Sequence, residues 1–187
     1  MEFPPPPVTD SMRAQARQQP GGYIYAIDPD CYPDGRVPGW AVRGGYPVNA
    51  EGEINTAGYR ANPDYRPGPR ALGFPKPANR LERALEIAVA GYGPESEILR
   101  ELVPPDAVLH VLVENDNPDA IAIVADDRDR PVLIDYTSRN RVPQNVRARP
   151  LPMRILHGML STVDVRINPG TPPSATIPGR DIVQALG

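Results

Sequence analysis

The chain has 187 residues, of which 20 are basic and 23 acidic, for a formal net charge of −3. A balance so close to neutral gives no general attraction to nucleic acid or to an anionic membrane, and the single cysteine, Cys31, excludes an internal disulfide. Proline is the unusual component, because 14 of the 26 prolines fall in the first 80 residues. Loops and extended segments should therefore dominate there.

The N-terminal segment, residues 1–20, is polar and proline-rich, which predicts a disordered tail. Four consecutive prolines at 4–7 favour the polyproline II conformation. The segment lacks the basic region and the apolar run of a signal peptide, and no stretch of the chain approaches the ~18 apolar residues of a membrane-spanning helix. The sequence thus predicts a soluble cytoplasmic protein.

Residues 21–78 predict an extension made of strands and loops. Tyr23–Ile27 has strand character and is ended by Asp28-Pro29. A second extended run, Trp40–Val48, contains a Gly-Gly pair that is typical of a bulge or a close backbone approach. Asn49–Gly52 then has turn chemistry that returns the chain.

Residues 79–187 begin with two predicted helices. Asn79 is a good N-cap, Glu82 stands three residues later as in a capping box, and Gly91 supplies the C-terminal stop. A shorter helix is predicted over Pro94–Leu102, where Pro94 suits the first turn.

The rest of the chain alternates strands and helices. Three apolar segments with short turns between them predict an antiparallel meander: Ala107–Glu114, Ala120–Ala125 and Pro131–Tyr136. A helix over Pro150–Leu160, strands over Val163–Ile167 and Ala175–Ile177, and a helical turn over Asp181–Leu186 follow. The predicted fold is α+β, with a mixed or antiparallel sheet that has helices on one side, preceded by the proline-rich extension.

The back half resembles the SseB-like domain. Its paired-helix start, its strand meander and a late Asn168-Pro169-Gly170 turn between a strand and a terminal helix occur in the order found in that family. The same residues predict that this turn is structural and that Gly170 has a positive φ, which glycine adopts at little cost.

The front half resembles the extension of actinobacterial type VII secretion system-associated proteins. The resemblance is carried by the Trp40–Tyr46 run, the Asn49–Gly52 turn and the segment Asn62–Pro67, of sequence Asn-Pro-Asp-Tyr-Arg-Pro. Together the two resemblances cover roughly residues 23–187. They imply association with a type VII (ESX-like) export apparatus and no known enzymatic activity.

Catalytic and metal chemistry have little support in the sequence. His110 lies in an apolar strand and His157 in the predicted amphipathic helix, where histidines are usually structural. Cys31 lies beside Asp30, and a neighbouring acid raises a thiol pKa and weakens the nucleophile. Asp28, Asp30 and Asp34-Gly35 do not have calcium-loop spacing and predict a solvated turn. We expect no catalytic residues, no metal and no cofactor.

Two groups of residues are candidates for binding a protein partner. The first is the proline-rich stretch around residues 59–69 with the preceding strand: Trp40, Tyr59, Arg60, Asn62, Tyr65 and Arg66. Tyrosine and arginine are enriched where proteins bind each other, although the tyrosines of a rigid crossover loop can equally serve the core. The second is an arginine-rich loop suited to an acidic partner: Arg139, Arg141, Arg147 and Arg149. Because no aromatic residue is interleaved there, nucleic acid is disfavoured.

Three functions are compatible with these features. The first is a non-enzymatic adaptor or chaperone-like protein that binds a type VII secretion substrate or component through the tyrosine-arginine residues. The second is an immunity-type protein that neutralises a cognate exported toxin with the same surface. The third is an enzyme or binding protein for a phosphate-containing ligand that uses the arginine loop.

Overall fold

The computed structural model describes residues 3–31, 36–104 and 107–186. The chain divides into two units, Met1–Gly73 and Phe74–Gly187, so the observed division comes five residues before the predicted boundary between 78 and 79. The first unit contains a three-stranded sheet and the second a six-stranded sheet.

The first unit begins with a helix that the sequence does not predict. Helix α1 spans Asp10–Arg17, and the Thr9 hydroxyl caps it by accepting a hydrogen bond from the Met12 amide. Ala16 is fully buried in a small apolar cluster with Ile24 and Val48. The prediction of a disordered tail over 1–20 therefore does not hold for this part, since tertiary packing stabilises a helix too short to be stable alone.

Three antiparallel strands follow: β1 (Tyr23–Ile27), β2 (Val42–Pro47) and β3 (Arg60–Ala61), in the order β1-β2-β3. Burial alternates along β1, so that Ile24 and Ala26 point into the unit while Tyr23, Tyr25 and Ile27 are exposed. The Gly-Gly pair of β2 serves close approach, because a Cβ at Gly44 would lie 2.4 Å from the Arg60 carbonyl oxygen.

The described residues of the second unit form four α-helices and six strands. The helices are α2 (Arg80–Val89), α3 (Ser96–Leu102), α4 (Met153–Leu156) and α5 (Gly179–Leu186). The strands are β4 (Val108–Leu112), β5 (Ile123–Ala125), β6 (Pro131–Tyr136), β7 (Ala148–Pro152), β8 (Asp164–Ile167) and β9 (Ala175–Ile177). Their order is β7-β4-β6-β8-β9, with β5 paired to β6.

One apolar core holds the second unit together. Buried residues from all four helices cluster with residues of one face of the sheet, among them Leu85 of α2, Leu102 of α3 and Val165 of β8. Only the β6–β8 pair is parallel among the described strand pairs. The predicted α+β fold, a mixed sheet with helices on one side, is confirmed.

The start of α2 agrees with its sequence signals. The Asn79 side chain accepts a hydrogen bond from the Glu82 amide at 2.8 Å, and Gly91 follows the helix with φ 73°. The Glu82 carboxylate accepts a hydrogen bond at 2.8 Å from the amide of Ala78, the residue before the N-cap. The predicted N-cap and C-terminal stop are therefore confirmed, with the capping box shifted by one residue.

The predicted helix over Pro150–Leu160 is largely wrong. Residues Ala148–Pro152 form β7, which pairs with β4 at the edge of the sheet, and only Met153–Leu156 is α-helical. An edge strand tolerates proline because one side of its backbone needs no ladder hydrogen bonds. Met153, Leu156 and Leu160 are nevertheless buried.

The turn Asn168-Pro169-Gly170 connects β8 to the segment that leads into β9. Asn168 and Gly170 have φ of 51° and 76°, so the positive φ predicted for Gly170 is confirmed. A Cβ built at Gly170 meets no atom within 4 Å. The glycine is therefore required by backbone conformation and not by lack of space.

Replacing Gly170 with alanine should lower the free energy of unfolding by about 1 kcal/mol, since an L-residue is strained at this φ. Gly158→Ala is the matched control, because a Cβ there also meets nothing within 4 Å and its φ is ordinary. Urea unfolding followed by circular dichroism compares the two variants. Equal losses of unfolding free energy at both positions would contradict the claim that the positive φ requires glycine at 170.

Asp135 lies on the central strand of the six-stranded sheet with its carboxylate buried. It is fully buried, and its register neighbours are Val111 on β4 and Ile167 on β8, both also fully buried. Neither carboxylate oxygen has a hydrogen-bond partner among the described residues. Burial raises the pKa of Asp135 from 3.8 to about 7, so the fold keeps this acid protonated well above its ordinary range.

This burial predicts that stability falls as pH rises. Between about pH 4 and 7 the folded chain holds a proton on Asp135 that the unfolded chain has lost, and the associated stability disappears as pH passes the folded-state pKa. At about 1.4 kcal/mol per pH unit the full loss is roughly 4 kcal/mol. Asp135→Asn removes the titration while keeping the side-chain size.

The free energy of unfolding of Asp135→Asn and of the wild type, measured in urea at pH 5 and pH 8, tests this prediction. The difference between the two proteins should shift in favour of the variant by about 2–3 kcal/mol between these pH values. Other titrating groups are common to both proteins and cancel. A difference independent of pH would show that Asp135 does not titrate in this range.

Candidate partner-binding cleft

An open cleft of about 1040 Å³ lies on the outward face of the three-stranded sheet. Five of the six residues predicted in this unit line it: Trp40, Arg60, Asn62, Tyr65 and Arg66. Tyr23 and Tyr25 of β1 line it as well, and sequence reasoning missed them. The two-residue period of a strand was the signal that could have identified them, because it places Tyr23 and Tyr25 on one face and Ile24 on the other.

One cross-strand row forms part of the cleft. Tyr25 is in register with Gly45, and Gly45 with Arg60, so these three residues share one face of the sheet. The ring of Tyr25 lies over Gly45, where an added Cβ would come within 3.2 Å of a ring carbon. The absence of a side chain at Gly45 therefore lets the Tyr25 ring lie close to the sheet beside the arginine.

The tyrosines of β1 are unusually accessible for aromatic residues. Tyr23 is 38 % exposed and Tyr25 62 % exposed. Their rings are nearly parallel, with centroids 6.5 Å apart and 23° between the planes. They thus present a continuous aromatic surface at one side of the cleft, with Arg60, also exposed, across the row.

Asn62 positions the loop on the other side of the cleft. Its side-chain nitrogen donates hydrogen bonds to the carbonyls of Gly39 at 2.9 Å and Val42 at 2.7 Å, and its oxygen accepts one from the Asp64 amide at 3.1 Å. The amide of Arg66 donates to the Trp40 carbonyl at 2.9 Å. Asn62 is therefore a positioning residue that ties the loop to the segment before β2.

A buried carboxylate anchors the same loop. Asp28 accepts hydrogen bonds from the amides of Asp30 at 2.8 Å and Gly68 at 3.1 Å, and also from the Tyr65 hydroxyl. Burial, reinforced by the Asp28 carboxylate, raises the pKa of Tyr65 above its ordinary value, which keeps its hydroxyl protonated as a donor. Asp30 in turn accepts from the Arg70 amide at 2.7 Å.

The prediction of a solvated turn at these acids is wrong for Asp28 and Asp30, which are both buried. Both carboxylates accept hydrogen bonds from backbone amides of the surrounding segments, which explains their burial. Asp34 and Gly35, the other residues considered for a calcium loop, lie outside the described residues.

Tyr59, the sixth predicted residue, does not line the cleft. Its hydroxyl donates to the Arg43 carbonyl at 2.8 Å, and its ring packs against that of Tyr46 with centroids 4.8 Å apart. It lines a separate groove of about 620 Å³ that also contains Phe3, Pro5 and Arg43. The Tyr59-Arg60 pair is therefore divided, since Arg60 lines the cleft and Tyr59 lines the groove.

The predicted arginine loop belongs to the second unit and is more ordered than expected. Arg139 and Arg141 form a 3₁₀ turn, and Arg149 lies in β7. Arg147 donates to the Asn115 carbonyl at 2.9 Å. Arg149 donates to the carboxylate and the carbonyl of Asp119 at 3.3 and 3.0 Å.

Arg141 belongs to the interior, contrary to the expectation of a binding role. It is 9 % exposed and lies 3.3 Å from the Glu82 carboxylate, which is 1 % exposed. Glu82 also accepts hydrogen bonds from the hydroxyls of Thr137 and Ser138. Burial alone would raise the pKa of Glu82, but the hydrogen bonds from Ala78, Ser138, Arg141 and Thr137 outweigh it and hold the pKa below its ordinary value.

The thiol and one of the two histidines considered for catalysis have shifted pKa values. Burial and the nearby Asp28 raise the pKa of the Cys31 thiol, which disfavours the reactive thiolate. Burial and Arg139 lower the pKa of His110. Within residues 3–31, 36–104 and 107–186, no three His, Cys, Asp or Glu side chains are grouped as metal ligands would be.

Comparisons of the chain with protein-family models, curated proteins and solved structures find no match. Among the described helices, none has the length and apolar character needed to cross a membrane.

The Glu82–Arg141 pair predicts a large stability effect. Arg141→Ala should lower the free energy of unfolding by about 3–5 kcal/mol, because it leaves a buried carboxylate without its cation. Arg147→Ala is the control, since that side chain is exposed and such substitutions stay within about 0.5 kcal/mol. Urea unfolding gives the free energy of unfolding of both variants. Equal losses would show that Arg141 contributes no more to stability than an exposed arginine.

Proposed function

We propose that the protein is a non-enzymatic adaptor that binds an acidic segment of a partner protein in the cleft on the outward face of the three-stranded sheet. The observation that carries the proposal is the exposed, stacked pair Tyr23–Tyr25 beside Arg60. The adaptor acts in the cytoplasm in association with a type VII (ESX-like) secretion system and takes a secretion substrate or component as its partner.

The chemistry of the cleft supports a protein ligand. Tyrosine supplies large contact area at little conformational cost, and arginine makes bidentate contacts to carboxylates. The loop opposite the tyrosines is held by Asn62 and Asp28 through side-chain hydrogen bonds. A surface so anchored loses little entropy on binding, which favours affinity.

A phosphate-binding role has weaker support. It would need several arginines directed at one ligand, whereas Arg141, Arg147 and Arg149 all contact groups of the protein itself. The tyrosine-arginine cleft requires no such rearrangement. The adaptor is therefore the preferred function.

The secretion context is supported by the family resemblance of the Trp40–Tyr46 and Asn62–Pro67 segments and of the Asn168-Pro169-Gly170 turn. Part of this resemblance falls on the cleft itself, because Trp40, Asn62 and Tyr65 line it. The residues that carry the resemblance and those proposed to bind the partner thus overlap.

Selection from a random peptide library displayed on phage tests the binding chemistry. We expect enrichment of acidic peptides that bind the double variant Tyr25→Ala/Arg60→Ala at least ten-fold more weakly than the wild type, because the aromatic area and the cation are both lost. Arg147→Ala, in the other unit, should bind as the wild type does. Peptides that bind the double variant and the wild type equally would refute the cleft as the site.

A photoreactive amino acid at position 25 tests the partner in cells that carry a type VII system. Crosslinks should go to an exported substrate or to a component of the apparatus, and Arg60→Ala should reduce them. Crosslinks confined to proteins unrelated to export would overturn the secretion role while leaving the cleft as a binding site.

A further inference from the structure

The proline-rich N-terminal segment folds back onto the first unit. We call residues 3–7 the strap. The Tyr46 hydroxyl donates a hydrogen bond to the Pro6 carbonyl, and the Arg43 guanidinium donates one to the Pro4 carbonyl at 3.4 Å. The ring of Phe3 meets that of Tyr65 edge to face, with centroids 5.7 Å apart and 84° between the planes.

These contacts have the chemistry of polyproline recognition. A polyproline II helix makes no internal hydrogen bonds, so its carbonyls are available to side-chain donors, and it has three residues per turn. Phe3 and Pro6, one such turn apart, are half-buried, whereas Pro4, Pro5 and Pro7 are exposed. The strap therefore presents one edge to the protein, as a polyproline ligand does in an aromatic groove.

The receiving groove is lined by aromatic rings and a cation. We call it the strap groove, and it includes Arg43, Tyr46, Tyr59 and Tyr65. The guanidinium of Arg43 lies 5.9 Å from the centre of the Tyr65 ring. Burial raises the pKa of Tyr46 and of Tyr59, so both hydroxyls remain donors.

The strap fills only part of the groove. A space of about 620 Å³ remains beside Phe3 and Pro5. Arg43 lines this space, and its Nε atom is buried and has no hydrogen-bond partner among the described residues. A buried donor without a partner carries a cost that an additional acceptor would remove.

We propose that the strap groove is a recognition site for polyproline II segments, that the strap is its intramolecular ligand, and that a proline-rich segment of a partner protein displaces it. Within the part of the chain that the structure describes, two hydrogen bonds and one ring contact hold the strap. Those few contacts make it replaceable, while its tether gives it an effective concentration on the order of millimolar. The unfilled space beside Phe3 and Pro5 selects a ligand longer than the strap.

The test uses a fluorescein-labelled peptide Phe-Pro-Pro-Pro-Pro-Val and two proteins. One is the full-length wild type. The other, the strap variant, carries Phe3→Ser together with glycine or serine at each of positions 4–7. Fluorescence polarisation should show binding to the strap variant, and at least ten-fold weaker binding to the wild type because the tethered strap competes. Adding Tyr46→Phe to the strap variant should weaken binding about five-fold, by loss of one hydrogen bond.

Control peptides and variants distinguish specific recognition of prolines from non-specific binding of the peptide. A peptide with the four prolines replaced by alanine should bind at least ten-fold more weakly, and Gly158→Ala in the second unit should leave binding unchanged, because an added Cβ there meets no atom within 4 Å. Equal binding of both peptides, equal binding by wild type and strap variant, or no binding by a folded strap variant would each overturn the proposal.

Two further measurements test displacement of the strap and the possibility that a second copy of the chain occupies the groove. If the strap variant does not fold, Phe3→Ser alone retains the prolines and removes the ring contact, and it should bind the peptide more tightly than the wild type. Equal affinity would count against displacement. Sedimentation of the wild type reports a second copy as the occupant: a dimer that the strap variant lacks would mean that straps are exchanged, and the assignment to a separate partner would be wrong.

Discussion

The first unit depends on buried side chains that satisfy a backbone too rich in proline to satisfy itself. Proline removes amide donors and prevents regular ladders, so the segment after β3 cannot extend the sheet. The Asp28 carboxylate instead accepts hydrogen bonds from the Gly68 amide and the Tyr65 hydroxyl. The side-chain amide of Asn62 donates hydrogen bonds to one carbonyl before β2 and to one at its first residue. Without these acceptors and donors the loop would have no fixed path, and the cleft it borders would have no defined shape.

The small sheet uses its two faces for different purposes. Its inner face packs Ile24 and Val48 on Ala16 of α1, whereas its outer face carries Tyr23 and Tyr25 into the open cleft. Glycine at 44 and 45 permits both arrangements, because side chains at these positions would meet the Arg60 carbonyl or the Tyr25 ring. A sheet of only three strands thus supports an anchored loop and an accessible aromatic surface together.

Local signals account for the elements that sequence reasoning identified. Asn79 and Gly91 mark the limits of α2 through their own capping chemistry, and Gly170 is identified by turn chemistry that needs no tertiary information. The failures all involve contacts distant in sequence. Helix α1 exists because Ala16 packs on β1, and β7 exists because β4 lies beside it, neither of which a single segment reveals.

The candidate site was predictable in the same uneven way. Trp40, Asn62 and Tyr65 were identified by residue type, but Tyr23 and Tyr25 were read only as strand residues, and their exposure follows from the packing of the opposite face. Arg141 was misjudged because its partner, Glu82, lies 59 positions away in the chain. Charge in a sequence does not distinguish a solvated arginine from one that neutralises a buried acid.

Tyr65 has a consequence for how the two proposed binding surfaces of the first unit would influence each other. Its side chain lines both the outward cleft and the strap groove, and its hydroxyl holds the acid that anchors the loop between them. A ligand that shifts this ring on one side changes what the other side offers. Linkage then requires reciprocity: whatever factor occupancy of the groove imposes on affinity in the cleft, occupancy of the cleft imposes on the groove. Tyr65 thus belongs to both proposed surfaces, and a shift of its ring would link the affinities of their ligands.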